Sequence, residues 1–140
     1  MSNPMKTLAL ADVAALTLGA QLGGGAYRGI LTLPDGTHVA VVQLADDPGK
    51  RLNHAAATAW ADGVGGVLPP RLGAALLYAN AKAQFEPDWY WTSDTLDADT
   101  GDKDDASYAW RCSFGIGFQY YFHKSYEGLA RAVRLIPLTA

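Results

Sequence analysis

The last third of this chain sets the tightest limit on what it can fold into. Tyr90-Trp91-Thr92-Ser93, Tyr108-Ala109-Trp110, Phe114-Gly115-Ile116-Gly117, Lys124-Ser125-Tyr126-Glu127-Gly128 and Arg131-Ala132-Val133-Arg134 follow one another as short aromatic strands separated by turns. This pattern predicts a small, tightly wound sheet with its loops displayed, and no catalytic cleft. From Tyr108 onward the period is two. Tyr108, Trp110, Cys112 and Phe114 point one way, and Ala109, Arg111 and Ser113 point the other. Gly115-Ile116-Gly117 turns the chain, Phe118, Tyr120 and Phe122 resume the alternation in a partner strand, and Leu129 to Leu138 reads as the last strand.

The earlier part supplies a hairpin and two helices. Ala26 to Leu33 and Thr37 to Leu44 flank the turn Pro34-Asp35-Gly36. Asn53 caps a helix running through Trp60, with Ala55, Ala56, Ala59 and Trp60 on its apolar side and Gly63 at its stop. After Gly65-Gly66 and Pro69-Pro70, Arg71 to Ala83 reads as a second helix buried through Leu72, Ala75, Leu76 and Ala79. The sum is an α+β domain of two helices on a small, mostly antiparallel twisted sheet. Residues 25–140 form that domain, and residues 1–24 are a packing or oligomerisation segment positioned to pair chains into a homo-oligomer. Leu8 to Ala20 follows Lys6 at about the length of a signal-peptide core, but Asp12 interrupts it and Gly23-Gly24-Gly25 stands where a processing site would lie. A membrane span, which needs about 20 apolar residues, is not expected.

One hundred and forty residues make one domain, and 49% apolar against 18% charged residues describes a folded chain. The formal charge of −3 argues against direct nucleic-acid binding. Cys112 is the single cysteine, so no internal disulfide forms and a reducing compartment fits best. Ser93, Ser107, Ser113 and Ser125 lack a nucleophile-elbow pattern, and His38, His54 and His123 lack metal spacing. His54 and Asp62 lie two helical turns apart, too far for an acid–base pair. No catalytic residue, metal or cofactor is expected.

The ordered set Trp60-Ala61, Gly65-Gly66, Leu68-Pro69, Arg71, Leu76-Leu77, Tyr90 to Ser93, Ala109-Trp110, Phe114, Gly117, Lys124 to Gly128 and Arg131 to Arg134 resembles the Lcl C-terminal-domain family. The resemblance covers roughly Gly25 to Leu138. It departs from the family at Pro70, where a Thr is usual, and at Gly73, where a Glu is common. The resemblance implies a C-type-lectin-like fold and a setting in phages and prophages, where relatives include adhesin heads and receptor-binding tips. It therefore implies a non-catalytic recognition module for a receptor, glycan or particle protein, located in the host cytoplasm or the phage particle. Formylglycine-generating enzymes share a related fold, but their chemistry needs paired cysteines, and Cys112 is alone.

Two sets of residues are candidates for binding. Asp94, Asp97, Asp99, Asp102, Asp104 and Asp105, with Lys103, give one segment a charge of −5 and leave +2 for the rest. Such density keeps a loop extended and wet unless a cation or basic partner neutralises it. Gly101 and Tyr108 stand where a calcium-binding hand needs acidic ligands, so no tight metal site is expected. The alternative role that follows from the run is a phage inhibitor of a host defence complex, docking on a basic protein or ribonucleoprotein surface. The second set faces a ligand directly. Trp89 and Trp91 share one strand face, opposite Tyr90, as core or as a platform for a sugar ring. Arg111 and Lys124 lie in the basic C-terminal stretch, where Lys124 and Arg134 could rim an anionic glycan. Arg134 is equally suited to tie down backbone carbonyls.

Overall fold

A computed structural model describes residues 7–140. Lys6, which precedes the leader-like run, lies outside them. The chain is an α+β domain of two sheets. In order, the elements are β1 (Leu8–Ala9), α1 (Leu10–Ala14), β2 (Gln21–Leu22), β3 (Gly25–Thr32), β4 (His38–Gln43), α2 (His54–Gly63), α3 (Arg71–Ala81), β5 (Trp89–Thr95), α4 (Leu96–Thr100), β6 (Tyr108–Ser113), β7 (Gln119–His123) and β8 (Val133–Thr139). Short 3₁₀ turns at Lys82–Gln84 and Lys103–Ser107 complete the set. Among the described residues no helix is long and apolar enough to cross a membrane.

The larger sheet has the order β1-β8-β4-β3-β2, antiparallel except for β1 beside β8. The smaller is the antiparallel set β5-β6-β7. The sequence predicts one sheet, because strand periodicity is the same in both and carries no label for the sheet a strand joins. Residues ahead of Gly25 supply both edge strands of the larger sheet, and Val13 packs beneath it with Tyr27, Ala40, Val42 and Ile136.

The hairpin β3–β4 follows its turn chemistry. Asp35 accepts a hydrogen bond from the Thr37 N–H at 2.9 Å, and Leu33 N–H donates to the Thr37 carbonyl at 2.8 Å. Asn53 caps α2 as its sequence predicts, accepting from the Ala56 N–H at 2.8 Å. The buried faces of both helices differ from expectation. His54, Ala57 and Ala61 face inward on α2, and Gly73, Ala74, Leu77 and Ala81 on α3, whereas Leu72 is 50% exposed. Both helices carry apolar residues nearly all round, so periodicity alone leaves their rotation open by about one residue.

Small residues settle that rotation. A Cβ on Gly73 would lie 3.0 Å from Pro70 Cδ, so the two positions where the chain departs from the resembled family touch each other. That approach tightens the first turn of α3, and the helix lies between the sheets, where Ala74 and Leu77 join Val41 and Val133 on one side and Tyr90, Cys112 and Phe114 on the other. Pro70 offers no side-chain acceptor to the helix N-terminus. Asp94 of β5 supplies it, taking the Arg71 N–H at 2.7 Å.

Two predictions follow from this packing. A chain ending at Ala132 loses β8, the partner of both β4 and β1, and with it buried Val133 and Ile136. Such a chain is expected to lack the cooperative thermal transition of the full one. Asp94→Ala removes the borrowed cap and should destabilise by about 1 kcal/mol, while exposed Asp104→Ala stays within about 0.5 kcal/mol. Equal melting temperatures for the two variants would contradict the cap.

Candidate aromatic binding face

Strand β7 is the open edge of the smaller sheet. From Phe118 to His123 only Gln119 is not an aromatic ring. A strand with rings on both faces and no neighbour on one side cannot bury them all. Phe118 is 55% exposed, Tyr120 46% and Tyr126, past the strand, 60%.

Register sorts these rings. Tyr120 lies opposite Arg111 and Phe122 opposite Ala109, on the face that also carries Trp91. Tyr121 lies opposite Trp110 and His123 opposite Tyr108, on the other face. On the first face the Phe118 and Tyr120 rings are nearly parallel, with centroids 6.2 Å apart and planes at 14°. Trp89, on the same face across β6, meets Phe118 and Phe122 edge to face, at 6.5 and 5.1 Å. The result is a propped, exposed pair of ring faces.

At the other end of β7 a groove of about 480 Å³ is lined by Tyr108, Tyr120, Tyr121, His123, Ser125 and Tyr126, with Phe122 beside them. Tyr108 stands at right angles to both Tyr121 (5.8 Å) and His123 (5.5 Å). His123 Nδ1 and Ser125 Oγ are 2.7 Å apart. The Tyr121 hydroxyl is pushed up from its ordinary 10.0, first by hydrogen bonding to the Tyr120 hydroxyl and then by that group's charge, with a further push from Asp105.

Two of the four ligand-facing candidates are interior. Trp91 is fully buried, its indole N–H donating to the Leu52 carbonyl at 2.8 Å and its ring 5.1 Å from His54. Arg111 is 5% exposed, sandwiched with its guanidinium 4.0 Å from the Trp91 ring and 4.5 Å from Phe122, and donating to the Glu127 carbonyl. Burial lowers it to about 10, which leaves it charged at neutral pH. The register of β5 against β6 pairs Trp91 with Arg111 on one face, and that face is the one α2 covers. Trp89 is half-buried as the prop described above, and Lys124 is half-buried with its backbone bonded to Ser107 and His54. Arg134 donates to the Gly65 and Gly23 carbonyls rather than rimming a site with Lys124.

The acidic run is folded, contrary to the extended loop its charge predicts. It forms α4 and the second 3₁₀ turn, with Leu96 buried and Gly101 ending α4 at φ +72°, a conformation that favours glycine. Asp94 caps α3, Asp99 pairs with Arg71 at 3.2 Å, Asp102 caps the 3₁₀ turn, and Asp105 accepts from the Thr100 hydroxyl at 2.7 Å. Asp97 is half-buried and Asp104 exposed. Arg71 in turn lies 3.6 Å above Trp110 and bonds Gln119. Local hydrogen bonds and one cation thus hold together carboxylates that would otherwise repel.

Among the described residues no group of three or more His, Cys, Asp or Glu side chains is placed to hold a metal ion. His54 and Asp62 both line a groove of about 680 Å³ beside α2, but His54 Nε2 is committed to the Thr92 carbonyl at 2.9 Å. A carbonyl only accepts, so Nε2 carries the proton of the neutral ring. Cys112 is a buried free thiol, pushed up by burial. In comparisons with known proteins, the sequence matches no family model and no curated protein.

Sequence reasoning passed over Tyr121, Tyr126 and His123 as site residues. The signal that could have found them was aromatic density on both faces of one strand.

Burial also holds His54 below its ordinary 6.5, chiefly by desolvation. The unfolded chain then takes up the proton first, so stability is full above about pH 6.5 and falls as pH drops through the lower folded value. Thermal melts between about pH 7 and pH 5 should show this slope, and His54→Gln should flatten it. An unchanged slope in that variant assigns the effect elsewhere.

Proposed function

We propose that this domain is a non-catalytic recognition module of phage or prophage origin, C-type-lectin-like in fold, that binds a glycan on a receptor or particle. The observation that carries the reading is the near-parallel, exposed Phe118–Tyr120 pair on an open strand edge, propped by Trp89. The apolar C–H face of a pyranose stacks on such rings. An exposed aromatic edge on a folded domain is otherwise an aggregation hazard, which favours a binding role for it. The resemblance along Gly25 to Leu138 supports the fold assignment and the phage setting.

The alternative, an inhibitor of a host defence complex acting through the acidic run, has less to draw on. Asp94, Asp99, Asp102 and Asp105 already hold partners within the chain, and of the exposed residues of the run Asp104 is the carboxylate with no such tie among the described residues. A basic partner would have to compete with those internal contacts.

The two readings separate in one experiment. Saccharides are screened against the full chain, and binders are titrated against Phe118→Ala, Tyr120→Ala and the pair Asp102→Asn with Asp104→Asn. Each ring deletion is expected to weaken binding by about 1–3 kcal/mol with little change in melting temperature, and the charge change to leave binding intact. Saccharide affinity indifferent to both ring deletions would overturn the proposal.

A further inference from the structure

The groove at the His123 end of β7 has a different chemistry from the Phe118–Tyr120 pair. There Tyr108 meets Tyr121 at 84° and His123 at 82°, while Tyr120, which also lines the groove, stacks on Tyr121 at 4.6 Å and 15°. Perpendicular rings turn π faces toward a shared space, whereas parallel ones present a single plane. The face of an aromatic ring is the negative end of its quadrupole, so such a space attracts a bulky cation whose charge is spread over apolar methyl groups. No Lys or Arg lines the groove. The acidic run ends directly before Tyr108, and Asp105 is close enough to act on the Tyr121 hydroxyl. The surroundings therefore add negative potential beside the rings.

We propose that this groove binds a trimethylammonium group of the kind choline carries, borne on the same saccharide whose sugar rings stack on Phe118 and Tyr120. The inference rests on the glycan reading for its source, and the shared strand is the reason to join the two. β7 and its flanks carry both surfaces, so one decorated chain lying along the edge reaches both. A compact inorganic cation would instead need converging oxygen ligands, and a primary ammonium would need acceptors for its N–H bonds.

The test is amide NMR titration of the full chain with choline chloride, its neutral tert-butyl isostere and a trimethyllysine peptide. Choline is expected to bind saturably in the millimolar range, shifting Tyr121 and His123, with the neutral isostere about 10-fold weaker. Tyr126→Ala and Tyr121→Ala should abolish choline binding, and Phe118→Ala should preserve it. Absence of saturable shifts, equal binding of the isostere, or choline binding unchanged in both tyrosine variants overturns the inference. A trimethyllysine peptide bound far more tightly than choline overturns the saccharide as source and points to a protein. Saccharide binding at Phe118 without choline binding sinks this inference alone. Choline binding without any saccharide binding sinks the glycan reading and leaves the cation groove standing.

Discussion

Trp91 is the contact on which the smaller sheet depends. It is the largest fully buried side chain, and it sits where α2, the Leu52 loop, β6 and the Leu129–Ala132 segment converge. A tryptophan can be buried this deeply only if its N–H finds an acceptor, and the Leu52 carbonyl is that acceptor. Above it the Arg111 guanidinium lies between Trp91 and Phe122. Arg111 marks the boundary of the core. Rings on the α2 side of it are sealed, and Phe118 and Tyr120 beyond it are open to solvent. Gly128 fits the same arrangement, since a Cβ there would lie 3.0 Å from the Arg111 guanidinium carbon.

Carboxylates and backbone are coupled through the acidic run. A strand residue, Asp94, completes the N-terminus of α3, and Asp99 of α4 holds the Arg71 side chain that lies over Trp110. Charge that looks like an exposed docking surface is partly the clamp that joins α3 to the smaller sheet. Ion pairs of partly exposed groups add little stability. The hydrogen bond to the helix terminus is the stronger part of that clamp, because it satisfies a backbone donor that has no partner within the helix.

Much of the fold was legible beforehand for reasons local in the chain. Pro34-Asp35-Gly36 determines its own turn, Asn53 caps the helix it precedes, and strict alternation from Tyr108 to Ser113 gives a strand whose two faces can be named residue by residue. Alternation likewise puts Trp89 with Trp91 on one face of their strand and Arg111 with Ala109 on one face of theirs, and the strand pairing joins those two faces. What alternation could not provide was the cover. Trp91 and Arg111 lie under α2, while Tyr120 on the same face lies past the edge of that cover.

The sequence by itself determined the β3–β4 hairpin, helices α2 and α3, the aromatic alternation of β6 and β7 and the α+β class, because turn chemistry, capping and periodicity act over a few residues. Tertiary structure decided the partition into two sheets, the rotation of α2 and α3, the folding of the acidic run and the identity of the exposed rings. Each of these depends on contacts between residues far apart in sequence, such as Leu77 with Val41 and Phe114, Asp94 with Arg71, and β8 with β4. Such contacts are selected by shape and by the satisfaction of buried polar groups, and neither has a local signature in the order of residues.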